Sequence, residues 1–515
     1  MLNRLFGKNT HSYLLTFGLC VLAIGVPLNK IVMSLAMMFL SLNFLLEGEF
    51  KTKWTNLKSN TSFLLLAFFF IIHFIGLIWT DNFDYAWNDI RIKIPLIVIP
   101  LILIAKPLAD SKHLHYVLIA YVSSTLITSV INFVLYNGWI GNIVYNDIRG
   151  LSIFGSHIRY AIIVTMSIAI LLSFLKYKKY RLLISVLILW LVFYTIYSQV
   201  LSGLITLFAL ISIYSIYLIW KRWKLAAFIT VSVISMSLIA ALIWLFKPMH
   251  INKEDYTNLD LKTTEGNPYT HDFSKITVET GEPTYIYVCE EELRNEWSKR
   301  SSISIDSLDF VGQHLKQTLI RYLSSKNLRK DANGVRQLSK SEIRDIEMGH
   351  ASTIKSGIIA RFYGIKHQLN NANTPNNHSI LERIRYWKAG ISIIKENWLF
   401  GVGTGDVQIA FNKEYKESKS LLDVENWHRA HNMFLTVFIT FGIGGLVLFC
   451  WMISYFTLFN IRNNHLVGLF FILIAVVSFL PEDTLETQSG VTFFALFYGL
   501  YSVSYSTIKK SSLEG

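Results

Sequence analysis

Apolar residues run through this chain in long blocks, with polar residues crowded between them. A helix that crosses a membrane needs about 17–25 such residues. Blocks reaching or approaching that length lie near 12–29, 31–48, 61–79, 92–106, 114–136, 158–175, 182–198, 203–220, 225–246, 432–456, 466–480 and 491–507. The stretch 181–224 is too long for one helix, and a tight turn is expected where Ser198-Gln199 and Ser202-Gly203 interrupt it. The first block ends in Gly25-Val-Pro-Leu28 and a second follows at once, so it reads as a retained helix and not a cleaved leader. The pattern predicts an all-α polytopic membrane protein of about 12 transmembrane helices. It divides the chain into residues 1–246 with about nine spans, a large loop region over 247–430, and residues 431–515 with about three spans.

Charge orients these blocks. Lysine and arginine gather on alternate loops: Lys51, Lys53 and Lys58, then Lys106 and Lys112, then Lys176 to Arg181, then Lys221 to Lys224, then Arg462, then Lys509 and Lys510. The opposite loops hold fewer cations (Lys30, Arg91, Lys93, Arg149, Arg159) and the acids Asp81, Asp84, Asp89, Asp147, Glu482, Asp483 and Glu486. By the positive-inside rule both termini are expected to be cytoplasmic. The 247–430 region then lies outside, which in an inner-membrane protein means the periplasm. Within it, 276–288 reads as a β-hairpin, 311–325 and 339–348 read as helices, and 370–377 as a polar linker. A large mixed α/β periplasmic loop with a small core of its own is therefore expected.

Composition agrees with this picture. Charged residues are 16% of the 515, against about a quarter in a soluble domain. The net charge of +13 would suggest nucleic acid in a soluble protein, but here the cations line one membrane face, and no nucleic-acid partner is expected. Cys20 and Cys450 sit in apolar runs and Cys289 is alone, so no disulfide framework is indicated.

Candidate chemistry gathers after residue 378. Ser379-Ile-Leu-Glu382 fits a capping box, so a helix is expected from there to about Asn397. At 100° steps Ile380, Ile384, Trp387, Ile391, Ile393 and Ile394 form one apolar arc, with Arg385, Lys388, Lys395 and Glu396 opposite. Arg383 falls inside the apolar arc. A guanidinium there needs an anion, either a structural carboxylate or a phosphate. Gly401-Val-Gly-Thr-Gly405 closes the helix and reads as a tight turn with a helix cap. His428-Arg-Ala-His431-Asn432 opens the next apolar block, where His431 is either structural or a base or phosphate ligand. Gly155-Ser-His-Ile-Arg159, Arg91 with Lys93, and Pro481-Glu-Asp-Thr-Leu-Glu486 face the same side. Apart from His73, ionisable groups are nearly absent from the spans, which favours a site at the outer interface over a path through the midplane.

Glu382-Arg-Ile-Arg-Tyr-Trp387, Glu396-Asn-Trp-Leu-Phe-Gly-Val-Gly403, Arg429-Ala-His-Asn-Met-Phe-Leu435 and Phe441-Gly-Ile-Gly-Gly445 together resemble the core of the O-antigen ligase and polymerase family. The resemblance is specific over about 380–450 and loose elsewhere. It implies a metal-independent glycosyltransferase with no cofactor. Its partners would be an undecaprenyl-diphosphate-linked glycan donor, a lipid A-core acceptor and the membrane lipids. It places Arg383 on the diphosphate and His431 in the transfer step. Trp387, Asn432, Glu482, Asp483, Arg159 and Arg91 complete the candidate substrate-binding set. A polymerase, which would elongate another lipid-linked glycan, is the alternative. A lipid-linked sugar transporter and a non-catalytic scaffold are further ones. The family usually carries Ser-Arg-x-Gly before a middle span, whereas Ser198-Gln-Val-Leu-Ser-Gly203 has Leu201 where the arginine is expected.

Overall fold

The computed structural model describes residues 8–140, 148–247, 249, 256–354, 357–370, 375, 376 and 378–503. Most of the expected 370–377 linker lies outside these residues, as do Asp147, Lys509 and Lys510. The chain packs as two compact units, Met1–Trp223 with Arg383–Gly515, and Lys224–Glu382.

The first unit begins with α1 (Lys8–Leu28), α2 (Lys30–Glu47), α3 (Phe50–Ser59), α4 (Thr61–Ile75), α5 (Phe83–Ala105), α6 (Ser111–Tyr136), α7 (His157–Phe174), α8 (Arg181–Tyr197) and α9 (Leu201–Trp220). The turn expected at Ser198-Gln199 is present, with Gln199 at φ 52°. Side-chain caps explain several starts: Asn60 accepts from the Phe63 amide, and Asp110 accepts from those of Lys112 and His113.

The second unit holds α10 (Lys224–Phe246), the antiparallel pair β1 (Thr270–Ile276) and β2 (Pro283–Val288), then α11 (Glu290–Ser298), α12 (Leu315–Ser325), α13 (Ala332–Arg336), α14 (Lys340–Glu347) and α15 (Gly357–Asn370). It has its own core, in which Leu293, Trp297, Leu319, Leu323, Val335 and Ile346 are buried. The hairpin exists, but its first strand precedes the expected one. Residues 277–282 form the turn, closed by the Gly281 amide on the Thr277 carbonyl, with Gly281 at φ 82°. The β-prone side chains of Thr277, Val278 and Thr280 thus yielded to turn geometry.

The chain returns to the first unit through α16 (Ser379–Asn397), then α17 (Val407–Glu417), α18 (Met433–Arg462), α19 (Leu466–Phe479) and α20 (Gln488–Tyr501). Residues 383–430, grouped by hydropathy with the loop region, pack with this unit. Each of the twelve apolar blocks lies on a helix. Among the described residues nine helices are long and apolar enough to cross a membrane: α1, α2, α4, α6 to α10 and α18. The protein is an all-α polytopic membrane protein with one small two-stranded sheet.

One feature of α18 sets up the site. The helix breaks at Gly442, where φ is 64° and ψ −163°. A break inside an apolar helix strands backbone groups that must find partners. The loop after α16 supplies them. The amides of Val402 and Gly403 donate to the Ile439 and Thr440 carbonyls at 2.8 and 3.0 Å, and the Ile443 amide donates to Trp398. The same loop is tied to the end of α4. Thr404 Oγ1 donates to the His73 carbonyl at 2.7 Å, and Asp406 accepts from the Asp81 and Asn82 amides. The turn and cap expected for Gly401–Gly405 are present, since the Gly401 amide donates to the Asn397 carbonyl. The loop is in addition a clamp between two membrane helices.

Candidate functional site

The arc of α16 positions Arg383. Leu381, Tyr386, Ala389, Gly390 and Ile393 are its buried residues. Ile391, expected in the packed arc, is instead exposed. The apolar arc of α16 therefore meets two surroundings, the protein core and the outer surface. Arg385, expected on the solvated face, is half-buried and engaged.

Arg383 meets the segment between α19 and α20. Its Nε donates to the Pro481 carbonyl at 3.1 Å and its Nη2 to Glu482 Oε1 at 3.1 Å. The other Glu482 oxygen lies 3.8 Å from His431 Nδ1, and Asp483 Oδ1 is 3.4 Å from the same nitrogen. Glu482 thus bridges Arg383 and His431. The Nδ1 atom is buried and makes no aligned hydrogen bond among the described residues. The His431 backbone takes the left-handed conformation, φ 45°, which is unusual for a residue other than glycine. Local contacts hold it there. Trp387 Nε1 donates to the Ala430 carbonyl at 3.0 Å, and Tyr386 packs its ring 5.7 Å from that of His431. Asn432 Oδ1 caps α18 at the Leu435 amide, while its Nδ2 donates to the Leu480 carbonyl at 3.0 Å. Trp387 and Asn432 therefore orient the histidine segment.

Below Asp483 lies a second set of charges, of which Arg429 and Glu486 were not singled out by sequence as site residues. Arg429 donates to Glu486 Oε2 at 3.0 Å and lies 3.7 Å from Asp483 Oδ2. Glu486 Oε1 is 2.8 Å from Lys93 Nζ, which is also paired with Asp89. Lys93 is fully enclosed, with 1% of its side chain exposed. The sequence signal was present: Arg429 is two residues before His431, and Glu486 three after Asp483.

Proton affinities follow from these contacts. Burial alone would lower the His431 pKa, but the hydrogen-bonding and charge of Asp483 and the charge of Glu482 outweigh it, and the pKa is raised. Burial lifts the Glu482 carboxyl, with Asp483 adding to the rise and His431, Arg383 and Arg159 opposing it. Asp483 is also buried, which favours the acid, yet His431 and Arg429 hold its carboxyl below the usual range. Glu486 is likewise held low by Lys93 and Arg429 against the effect of its burial.

Arg159 lies near enough for its charge to act on Glu482. It lines a cavity of about 140 Å³ with Lys30, Ser156, Tyr160 and Ser489. Lys30 is a further cation that sequence did not single out for the site. Leu201 starts α9, and its neighbour Val200 lines a separate small cavity of about 10 Å³ whose lining has no lysine or arginine. Arg91 stands apart, exposed on α5 and hydrogen-bonded to Asn88 at 2.7 Å.

The three groups His431, Glu482 and Asp483 could hold a metal ion, since one ligand atom of each lies within 4.8 Å of the others. Both carboxylates are already engaged by guanidinium groups, so a cation there would compete with Arg383 and Arg429. An anion entering beside Arg383 would in turn compete with Glu482. Fixed cations, a half-exposed imidazole and carboxylates behind it suit phosphate binding and proton transfer.

These features define a multi-pass membrane protein with a mixed-charge site on the loops flanking its spans. Residues 351–450 match the family model described as O-Antigen ligase. The match covers α16, the clamp loop, His431 and the α18 break. No curated protein matches the chain.

Proposed function

We propose that this protein is an O-antigen ligase-like glycosyltransferase. It moves glycan from undecaprenyl diphosphate to a lipid A-core hydroxyl at the periplasmic face of the inner membrane, with both termini cytoplasmic. The observation that carries the reading is the shared carboxylate: Arg383 and His431, both within the segment that matches the family, meet Glu482, which lies beyond it.

Arg383 takes a diphosphate oxygen, and Arg159 with Lys30 supplies positive charge from the neighbouring cavity. His431 Nδ1 points at Glu482 and Asp483, which leaves Nε2 as the base. The acceptor hydroxyl oxygen bonds to the anomeric carbon while its proton passes to His431 Nε2. The sugar–phosphate bond breaks, and its electron pair leaves on the diphosphate. Arginine stabilises the charge that develops there, so the step runs without a metal. Glu482, its carboxyl raised by burial, gives up Arg383 to the incoming phosphate and remains beside His431.

The test is a transfer assay on purified protein with undecaprenyl-diphosphate-linked glycan, lipid A-core and a chelator. Glycan on lipid A-core with wild type and none with Arg383→Ala is the expected result. Longer glycan on the lipid carrier would make the protein a polymerase. Loss of transfer on chelation, restored by a divalent ion, would make His431, Glu482 and Asp483 metal ligands. No transfer to either acceptor from folded protein would sink the proposal and favour a transporter or scaffold.

A further inference from the structure

The second unit has no part in the reaction proposed above, yet it contains a cleft of about 200 Å³. Glu279, from the β1–β2 turn, and Arg321, from α12, form part of its lining. His350, Ser352 and, on α15, Tyr363 and Gly364 line it as well.

Glu279 and Arg321 do not close on each other. Glu279 Oε1 is 3.7 Å from Arg321 Nη2, an ion pair without a hydrogen bond. The Glu279 side chain is only 7% exposed, yet its Oε2 has no hydrogen-bond partner among the described residues. Arg321 Nη1 is held by His367 Nε2 at 2.8 Å, while its buried Nε has no partner among the described residues. A buried acceptor and a buried donor are thus left unmet on two residues that line the cleft. Native interiors rarely leave such groups unpaired.

The pair selects the ligand chemistry. An anion drawn to Arg321 meets the Glu279 carboxylate, and a cation drawn to Glu279 meets the guanidinium. A hydroxyl both donates and accepts, so neighbouring hydroxyls on one ring satisfy Glu279 and Arg321 together. Gly364 adds room, because a Cβ there would meet nothing within 4 Å. We propose that this cleft binds a neutral saccharide unit, with Glu279 accepting from one ring hydroxyl and Arg321 donating to its neighbour. The site is separate from the Arg383 and His431 cluster and holds sugar without transferring it.

The test is saturation-transfer NMR on the full chain in nanodiscs, with a panel of neutral bacterial oligosaccharides and, separately, inorganic phosphate. At least one oligosaccharide should bind wild type. Glu279→Gln and Gly364→Trp should each weaken it on the order of tenfold or more, as expected when one polar partner or the space is removed. Binding should persist in Arg383→Ala. The readout needs no turnover, so it stands even if the proposed transfer reaction fails. Gly364→Trp points into open space, and Glu279→Gln preserves shape if the tryptophan variant does not fold. No oligosaccharide bound to wild type would overturn the proposal. So would binding that survives Glu279→Gln, binding lost in Arg383→Ala alone, or phosphate binding in preference to sugar.

Discussion

Two sets of charges lie side by side in the first unit, and they are built to opposite rules. The inner set, Asp89, Lys93, Arg429 and Glu486, is closed. Lys93 touches two carboxylates, and Glu486 uses one oxygen for Lys93 and the other for Arg429. The outer set, Arg383, His431 and Glu482, is open. Arg383 and His431 keep 22% and 33% of their side chains exposed, and His431 Nδ1 faces two carboxylates without an aligned hydrogen bond. A buried, fully paired charge is costly to disturb and supports the fold. A part-exposed charge at the surface of the same network can exchange a partner for a ligand. The contrast assigns scaffold to one set and chemistry to the other.

The largest effect should come from breaking the inner set. Glu486→Ala takes from buried Lys93 one of its two carboxylates and from Arg429 its hydrogen-bonded partner, and should cost about 3–5 kcal/mol of stability, read by thermal or denaturant unfolding in detergent. An unchanged unfolding curve would erase the distinction between the sets. Next, Arg383→Ala should leave unfolding nearly unchanged while lowering transfer by about 10²–10³-fold, the range for losing one stabiliser of developing charge. His431→Ala should lower kcat by about 10²-fold with donor affinity retained. A loss of donor affinity alone would make His431 a phosphate ligand and not a base.

A pH profile sharpens the comparison further. A base must be unprotonated, and the His431 pKa is raised from its ordinary 6.5. The rate should therefore fall as pH falls through a value above 6.5, and Asp483→Asn should move that limb to lower pH. A limb that stays in place would remove Asp483 from control of the imidazole. The smallest effect belongs to Arg91→Ala. That exposed arginine lies outside both sets, and both stability and transfer should change by no more than about 0.5 kcal/mol.

Much of this was legible in the sequence, for identifiable reasons. Spans show as apolar length, which needs no tertiary knowledge. Arg383 shows as a charge on an apolar helix face, and it does meet a carboxylate, Glu482. That carboxylate lies about a hundred residues away, and helical periodicity does not say which anion an arginine finds. Arg385 and Ile391 fail for a related reason. A 100° projection sorts polar from apolar, but it does not separate a protein core from an outer apolar surface. The closed inner set was hardest to read, because Lys93, Arg429 and Glu486 come from three segments that only packing joins.

The clamp between α16 and α18 bears on how substitutions in this chain should be interpreted. Gly403 sits at φ 93° beside Thr80, and a Cβ on Gly442 would collide with the Leu399 carbonyl. Both positions belong to the family-matched stretch, yet glycine has no side chain to offer a substrate. A saturation library scored by transfer would find Gly403, Gly442, Arg383 and His431 equally intolerant. Scored by protein abundance in the membrane, the same library would separate them: the two glycines would drop out and the two polar residues would remain.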